Sequence, residues 1–154
     1  MPINRRLSKL IPVRFLKPSF VPEAYRSWAL RYLKEAKVDL STAQEASMIE
    51  TVRDLSTIAL RKAQLAIEYA VAQPEVLDIA VSEYVSRGET EGQSLVVLLA
   101  QIRNLMKRIA DPHSRLRKDS ILGRTSLVLD VVSSIVSDVV GEVDMLREMR
   151  TERN

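Results

Sequence analysis

The chain has 154 residues, of which 46% are apolar and 28% charged, with a formal net charge of +3 and no cysteine. That length suits one domain with a substantial core, and the missing cysteine excludes disulfides, thiol catalysis and cysteine-ligated metal. The charged fraction, and the lack of any unbroken apolar run near the roughly 20 residues that cross a bilayer, argue against a membrane-spanning protein.

Residues 1–21 are set apart by composition. Five cations (Arg5, Arg6, Lys9, Arg14, Lys17) stand there with no acid, and prolines fall at 2, 12, 18 and 22. Ile3, Leu7, Leu10 and Ile11 follow helical spacing, so they share one face with the cations opposite. Pro12 and Pro18 break or kink any helix carried through them. The segment reads as short amphipathic pieces with bends between them, a proline-kinked basic arm preceding a helical domain at 22–154.

Pro22 fits the first turn of a helix whose stripe is Tyr25, Trp28, Ala29, Tyr32, Leu33 and Ala36. Lys34 and Lys37 fall opposite that stripe, with Arg26 and Arg31 towards its edges. Thr42 and Glu45 have capping-box spacing, so a new helix is expected from Ser41–Thr42 to Pro74. Its inner face would hold Met48, Ile49, Val52, Leu55, Ala59, Ala63, Ala66, Ile67 and Ala70. A short helix with Leu77, Ala80, Val81 and Tyr84 follows, ended by Gly88, and 86–92 reads as a loop. Thr90 and Gln93 would cap a helix carrying Leu95, Leu98, Leu99, Ile102, Met106 and Ile109, broken at Asp111-Pro112. The last segment, with Val128, Val131, Val132, Ile135, Val136, Val139, Val143 and Leu146, is rich in strand-favouring valine. Apolar and polar residues there alternate in pairs, which is a helical period and not the period of two of a half-buried strand. The expected fold is all-α, an antiparallel bundle of four to five helices with the N-terminal arm.

No catalytic or metal-ligating pattern emerges. His113 is the single histidine and sits in a turn, where a solvated or helix-end role is the ordinary one. Glycines 88, 92, 123 and 141 build neither a phosphate-binding loop nor a dinucleotide fingerprint. The expectation is a non-enzyme with no cofactor, no metal and no small-molecule substrate.

Charge is distributed in blocks: net +6 over 1–40, −5 over 41–102, +5 over 103–124 and −3 over 125–154. The basic blocks are rich in arginine, whose fork grips phosphate or carboxylate with paired hydrogen bonds. In the second block Arg103, Lys107 and Arg108 end one helix, while Arg115, Arg117, Lys118 and Arg124 enter the next. If that end of the bundle and the arm lie on one side, they form a continuous surface for a polyanion.

An Arg-rich, acid-poor arm also suits a transit peptide or a segment lying on anionic membrane. The prolines disfavour membrane contact, which prefers an unbroken helix. A grip on nucleic acid that also packs on neighbouring subunits accounts for both faces. Extended, 21 residues reach ~70 Å, enough to follow a curved duplex. The apolar residues Ile3, Leu7, Leu10, Ile11, Phe15, Leu16 and Phe20 would then be the subunit interface.

The arm MPINRRLSKLIPVRFLKPSFVP and the helix order after it resemble the major coat proteins of filamentous and rod-shaped archaeal viruses. The missing cysteine and the scarce asparagine (4, 104, 154) are compatible with a hyperthermophilic setting. The resemblance implies a virion protein, assembled in the host cytoplasm, that wraps linear double-stranded DNA in A-form. It further implies a helical filament built from coat-protein dimers, often of two related chains. On that resemblance Arg5, Arg6, Lys9, Arg14 and Lys17 would be phosphate contacts, supported by Arg26, Arg31, Lys34 and Lys37; the second basic block adds Arg115, Arg117 and Lys118. The alternatives are a cellular RNA- or ribosome-associated helical adaptor and a peripheral membrane protein.

Overall fold

The computed structural model describes residues 23–71 and 94–152, with 94 and 141–152 as backbone alone. The whole expected arm lies outside these residues. So do the helix expected after Pro74, the 86–92 loop and the Thr90–Gln93 cap; Val143 and Leu146 lie outside the described side chains. The described residues form four α-helices and no strand: α1 Glu23–Glu45, α2 Ile49–Ala70, α3 Ser94–Ala110 and α4 Lys118–Glu152. The fold is all-α, and the valine-rich C-terminal segment is helical. Val132, Ile135, Val136, Val139 and Val140 are buried at the three- and four-residue spacing of one helix face.

Helix α1 spans about 34 Å over its 23 described residues at 1.5 Å per residue. Ala29, Leu33, Ala36, Leu40 and Ala43 are its buried face. The aromatic half of the expected stripe lies at the edge of that face: Trp28 is 42% exposed, and Tyr25 and Tyr32 are half-buried. No helix starts at Ser41–Thr42, because α1 runs through both. The Thr42 hydroxyl donates to Val38 O at 3.0 Å, an interior bond one turn back in place of a cap.

The break falls at 46–48 instead. Ala46 N donates to Ala43 O at 3.2 Å, tightening the last turn of α1. Met48 is extended (φ −89°, ψ 131°) ahead of α2 and offers no side-chain cap. What secures this turn comes from far along the chain: Lys118 Nζ donates to Ala46 O at 2.7 Å, occupying a carbonyl that the helix end leaves open.

Helix α2 lies at the centre, packed against α1, α3 and α4, while α4 also packs on α1. Val52, Ala59, Leu60, Ala63, Ala66, Ile67 and Ala70 are buried along it, and its alanines let neighbours approach closely. Two residues leave the expected inner face: Met48 is 62% exposed and Leu55 half-buried. Asp39 meets Lys62 and Tyr25 meets Tyr69, so α1 and α2 run in opposite directions. Lys118 at Ala46 and Lys37 at Ser133 set α1 and α4 in opposite directions too.

Leu95, Leu99, Ile102 and Ile109 of α3 complete the core with Ile121, Leu129 and Val132 of α4. Each fully buried leucine, isoleucine or valine contributes about 1.5–3 kcal/mol of transfer free energy. One stretch of α4, Lys118–Val140, is long and apolar enough by length and composition to cross a membrane. Asp130, Ser133, Ser134 and Asp138 interrupt its apolar run, but averaged over a helix those four leave it apolar, and a third of it is buried against the other helices.

Candidate nucleic-acid interface

The cations of α1 divide into three circumstances. Arg26 is 8% exposed and engaged within the fold, so its expected place among the phosphate contacts narrows to its neighbours. Arg31 is exposed; its Nε donates to Glu35 Oε1 at 3.2 Å and its guanidinium sits 5.2 Å from the Trp28 ring centroid. Lys37 Nζ donates to Ser133 Oγ at 3.1 Å, linking α1 to α4 from the exposed side. Lys34 is exposed with its side chain unbonded among the described residues, and it lines two shallow hollows of about 330 and 310 Å³.

Acids within this ridge are neutralised by a residue the sequence reading did not single out. Lys62 of α2 lies 2.8 Å from Asp39 Oδ2 and 3.5 Å from Glu35 Oε2. The Asp39 hydrogen bond is the main influence raising the Lys62 pKa above the ordinary lysine value, with partial burial opposing it. With Lys62 the exposed side of α1 is balanced in charge: Arg31, Lys34, Lys37 and Lys62 stand against Glu23, Glu35, Asp39 and Glu45. At its N-terminal end Tyr69 of α2 stacks on Tyr32 at 5.7 Å and receives Tyr25 edge-on at 5.3 Å. Those rings fasten the start of α1 to the end of α2.

The second basic region surrounds the α3–α4 link, residues 111–117. Asp111 ends α3 as its Oδ1 accepts from His113 N at 2.9 Å and its carbonyl from Ser114 N at 3.0 Å, the local turn that aspartate favours. His113 is exposed, in keeping with an ordinary turn histidine. From α2, Arg53 Nη2 donates to Ser114 O at 2.9 Å and holds the link against the body. Lys118, expected among the phosphate contacts, donates instead to Ala46 O. Arg115 and Arg117 are exposed, and Arg108 joins Arg115 around a hollow of about 350 Å³ with Asp111, Ser114 and Leu116.

These two regions do not adjoin at their roots. The chain before Glu23 enters at one end of α1, whereas Lys118 and the link meet α1 at Ala46, its other end, about 34 Å away. Among the described residues no three histidines, aspartates or glutamates gather to hold a metal ion. Away from the basic regions, Asp138 Oδ2 is buried without a hydrogen-bond partner among the described residues, and burial pushes its pKa above the usual carboxylate value. Comparison with protein families, with curated proteins and with solved structures finds no match.

Proposed function

We propose that this chain is a structural coat protein that binds linear double-stranded DNA through its phosphates and assembles with copies of itself, or with a related second coat protein, into a helical filament. In this reading the helices form an antiparallel bundle, and the proline-kinked arm 1–21 follows the duplex. The observation that carries it is the run of cations from Arg5 to Lys17, unopposed by any acid, entering the helix whose exposed side bears Arg31, Lys34 and Lys37. Duplex DNA presents a phosphate charge about every 1.7 Å, so such a run needs no fixed register and reads no sequence. The apolar residues Ile3, Leu7, Leu10, Ile11, Phe15, Leu16 and Phe20 serve contacts between copies.

The five arm cations and the three of α1 would neutralise about eight phosphates, so log K should fall against log salt with a slope near −7. A slope near zero in the full chain sinks the reading. Electron microscopy of the protein with linear duplex DNA should show regular filaments that protect the DNA from nuclease. Discrete particles with equal affinity for RNA would point to a helical adaptor instead.

A further inference from the structure

The fold does not use up the cations at the α3–α4 link. Arg53 and Lys118 hold the link and the end of α1 by donating to Ser114 O and Ala46 O. Lys107, Arg108, Arg115 and Arg117 are exposed, and no described residue pairs with their side chains. The acids nearest in the fold are Asp111 and Asp119, with Glu45, Glu50 and Asp54 at the adjoining ends of α1 and α2; none makes an ion pair with these four cations. Asp111 already accepts from His113 N through Oδ1. Arg108 and Arg115 line one open hollow of about 350 Å³ with Asp111, Ser114 and Leu116.

Distance makes this cluster independent of the arm's root. The arm's root lies about 34 Å along α1 from Ala46, and even Lys37, the last cation of the first site, is about 14 Å from it, beyond the roughly 10 Å over which charge is screened at 0.1 M salt. Phosphates held near Glu23 therefore do not neutralise the link, and the link does not weaken binding at the other end.

We infer that the Lys107–Arg117 cluster is a second, separate phosphate-backbone site, so that one subunit bridges two stretches of duplex DNA, either neighbouring turns of one packaged molecule or two molecules. This rests on the reading of residues 1–21 as the first site. Where both stretches belong to one molecule, holding the first raises the effective concentration of the second.

The test uses the full chain and a short duplex immobilised on beads, scored for capture of a second, fluorescent duplex. The wild type should capture it. The triple variant Arg108→Gln/Arg115→Gln/Arg117→Gln should bind the immobilised duplex with an unchanged salt slope, while the salt slope of second-duplex capture becomes shallower by about 3. Its capture of the second duplex should fall at least about tenfold, because three phosphate contacts are lost. These side chains make no bond within the described fold, so the far-UV circular dichroism and melting of the variant should match the wild type. The variant Arg5→Gln/Arg6→Gln/Lys9→Gln should also lose capture, from the other end. Undiminished bridging by the link variant overturns the inference, as does a change in its sedimentation without DNA, which would make the cluster a contact between copies. Wild type that binds duplex without bridging overturns the second site alone. Wild type that binds no duplex removes the coat-protein reading as well.

Discussion

Replacing Lys118 with methionine removes a hydrogen bond that ties the start of α4 to the end of α1, beside the unassisted turn at 46–48. Lys118 Nζ lies 2.7 Å from Ala46 O, and Met48 supplies no side-chain cap on the other side of that turn. A hydrogen bond from a charged donor is worth about 1.5–3 kcal/mol net, and the half-exposed position of Lys118 favours the lower end of that range. Two dipole effects of about 0.3–1 kcal/mol oppose one another: the ammonium favours the C-terminus of α1 and disfavours the N-terminus of α4. Methionine keeps most of the side-chain volume, so packing changes little. The expected loss is about 1.5 kcal/mol, or about 3–6 °C in Tm for a chain of this size. The control is Arg117→Met, one residue away, exposed and unbonded, which should melt within about 0.5 kcal/mol of wild type. Urea and thermal unfolding followed by circular dichroism measure the difference, and duplex titration across salt separates the roles. Lys118→Met should lower stability and leave the salt slope of second-duplex capture alone, while Arg117→Met should do the reverse, flattening that slope by about 1. The reasoning is refuted if Lys118→Met melts with the wild type, or if it flattens the slope at unchanged stability.

Leu60→Ala, in the fully buried centre of α2, should cost about 2–5 kcal/mol, whereas Leu127→Ala on the 67%-exposed outer side of α4 should stay within about 0.5 kcal/mol; urea midpoints compare them. Asp138 has a folded pKa raised by burial, so the fold favours its protonated form, and its contribution to stability is lost as pH rises from the ordinary carboxylate value through the raised one. Asp138→Asn should remove that slope and gain up to about 1 kcal/mol at neutral pH, checked by unfolding between pH 3 and pH 7; parallel pH profiles for the two proteins would refute it.

What was legible in the sequence is what local chemistry decides. Asp111-Pro112 placed the end of α3, and paired apolar spacing identified α4 as helix despite its valines. The boundary between α1 and α2 was not legible. A threonine with glutamate three residues on looks alike whether its hydroxyl caps a new helix or, as at Thr42, bonds back to Val38 O. Ala46, Ser47 and Met48 carry no proline or glycine to mark a stop; the stop is sustained by Lys118, 72 residues away. In the candidate interface, helical phase placed Lys34 and Lys37 outward correctly. The same phase put Arg26 at the edge of the stripe, yet packing against the rest of the molecule withdrew it.

The same comparison bears on how basic blocks are read. A count of cations treats Arg53, Lys118, Arg115 and Arg117 alike, yet the first two are donors to backbone carbonyls within the fold and the last two are not. A cation bound to a carbonyl must break that bond before it can serve a phosphate, so its gain from the ligand is reduced by the bond it gives up. An unbonded exposed arginine loses only solvent and rotamer freedom on binding. Ligand affinity should therefore follow the cations not bound to backbone carbonyls: Arg31, Lys34 and Lys37 on α1, and Lys107, Arg108, Arg115 and Arg117 at the link. Local net charge overstates the second region, because one of its positive charges, Lys118, holds the helices in the places that present Lys107, Arg108, Arg115 and Arg117.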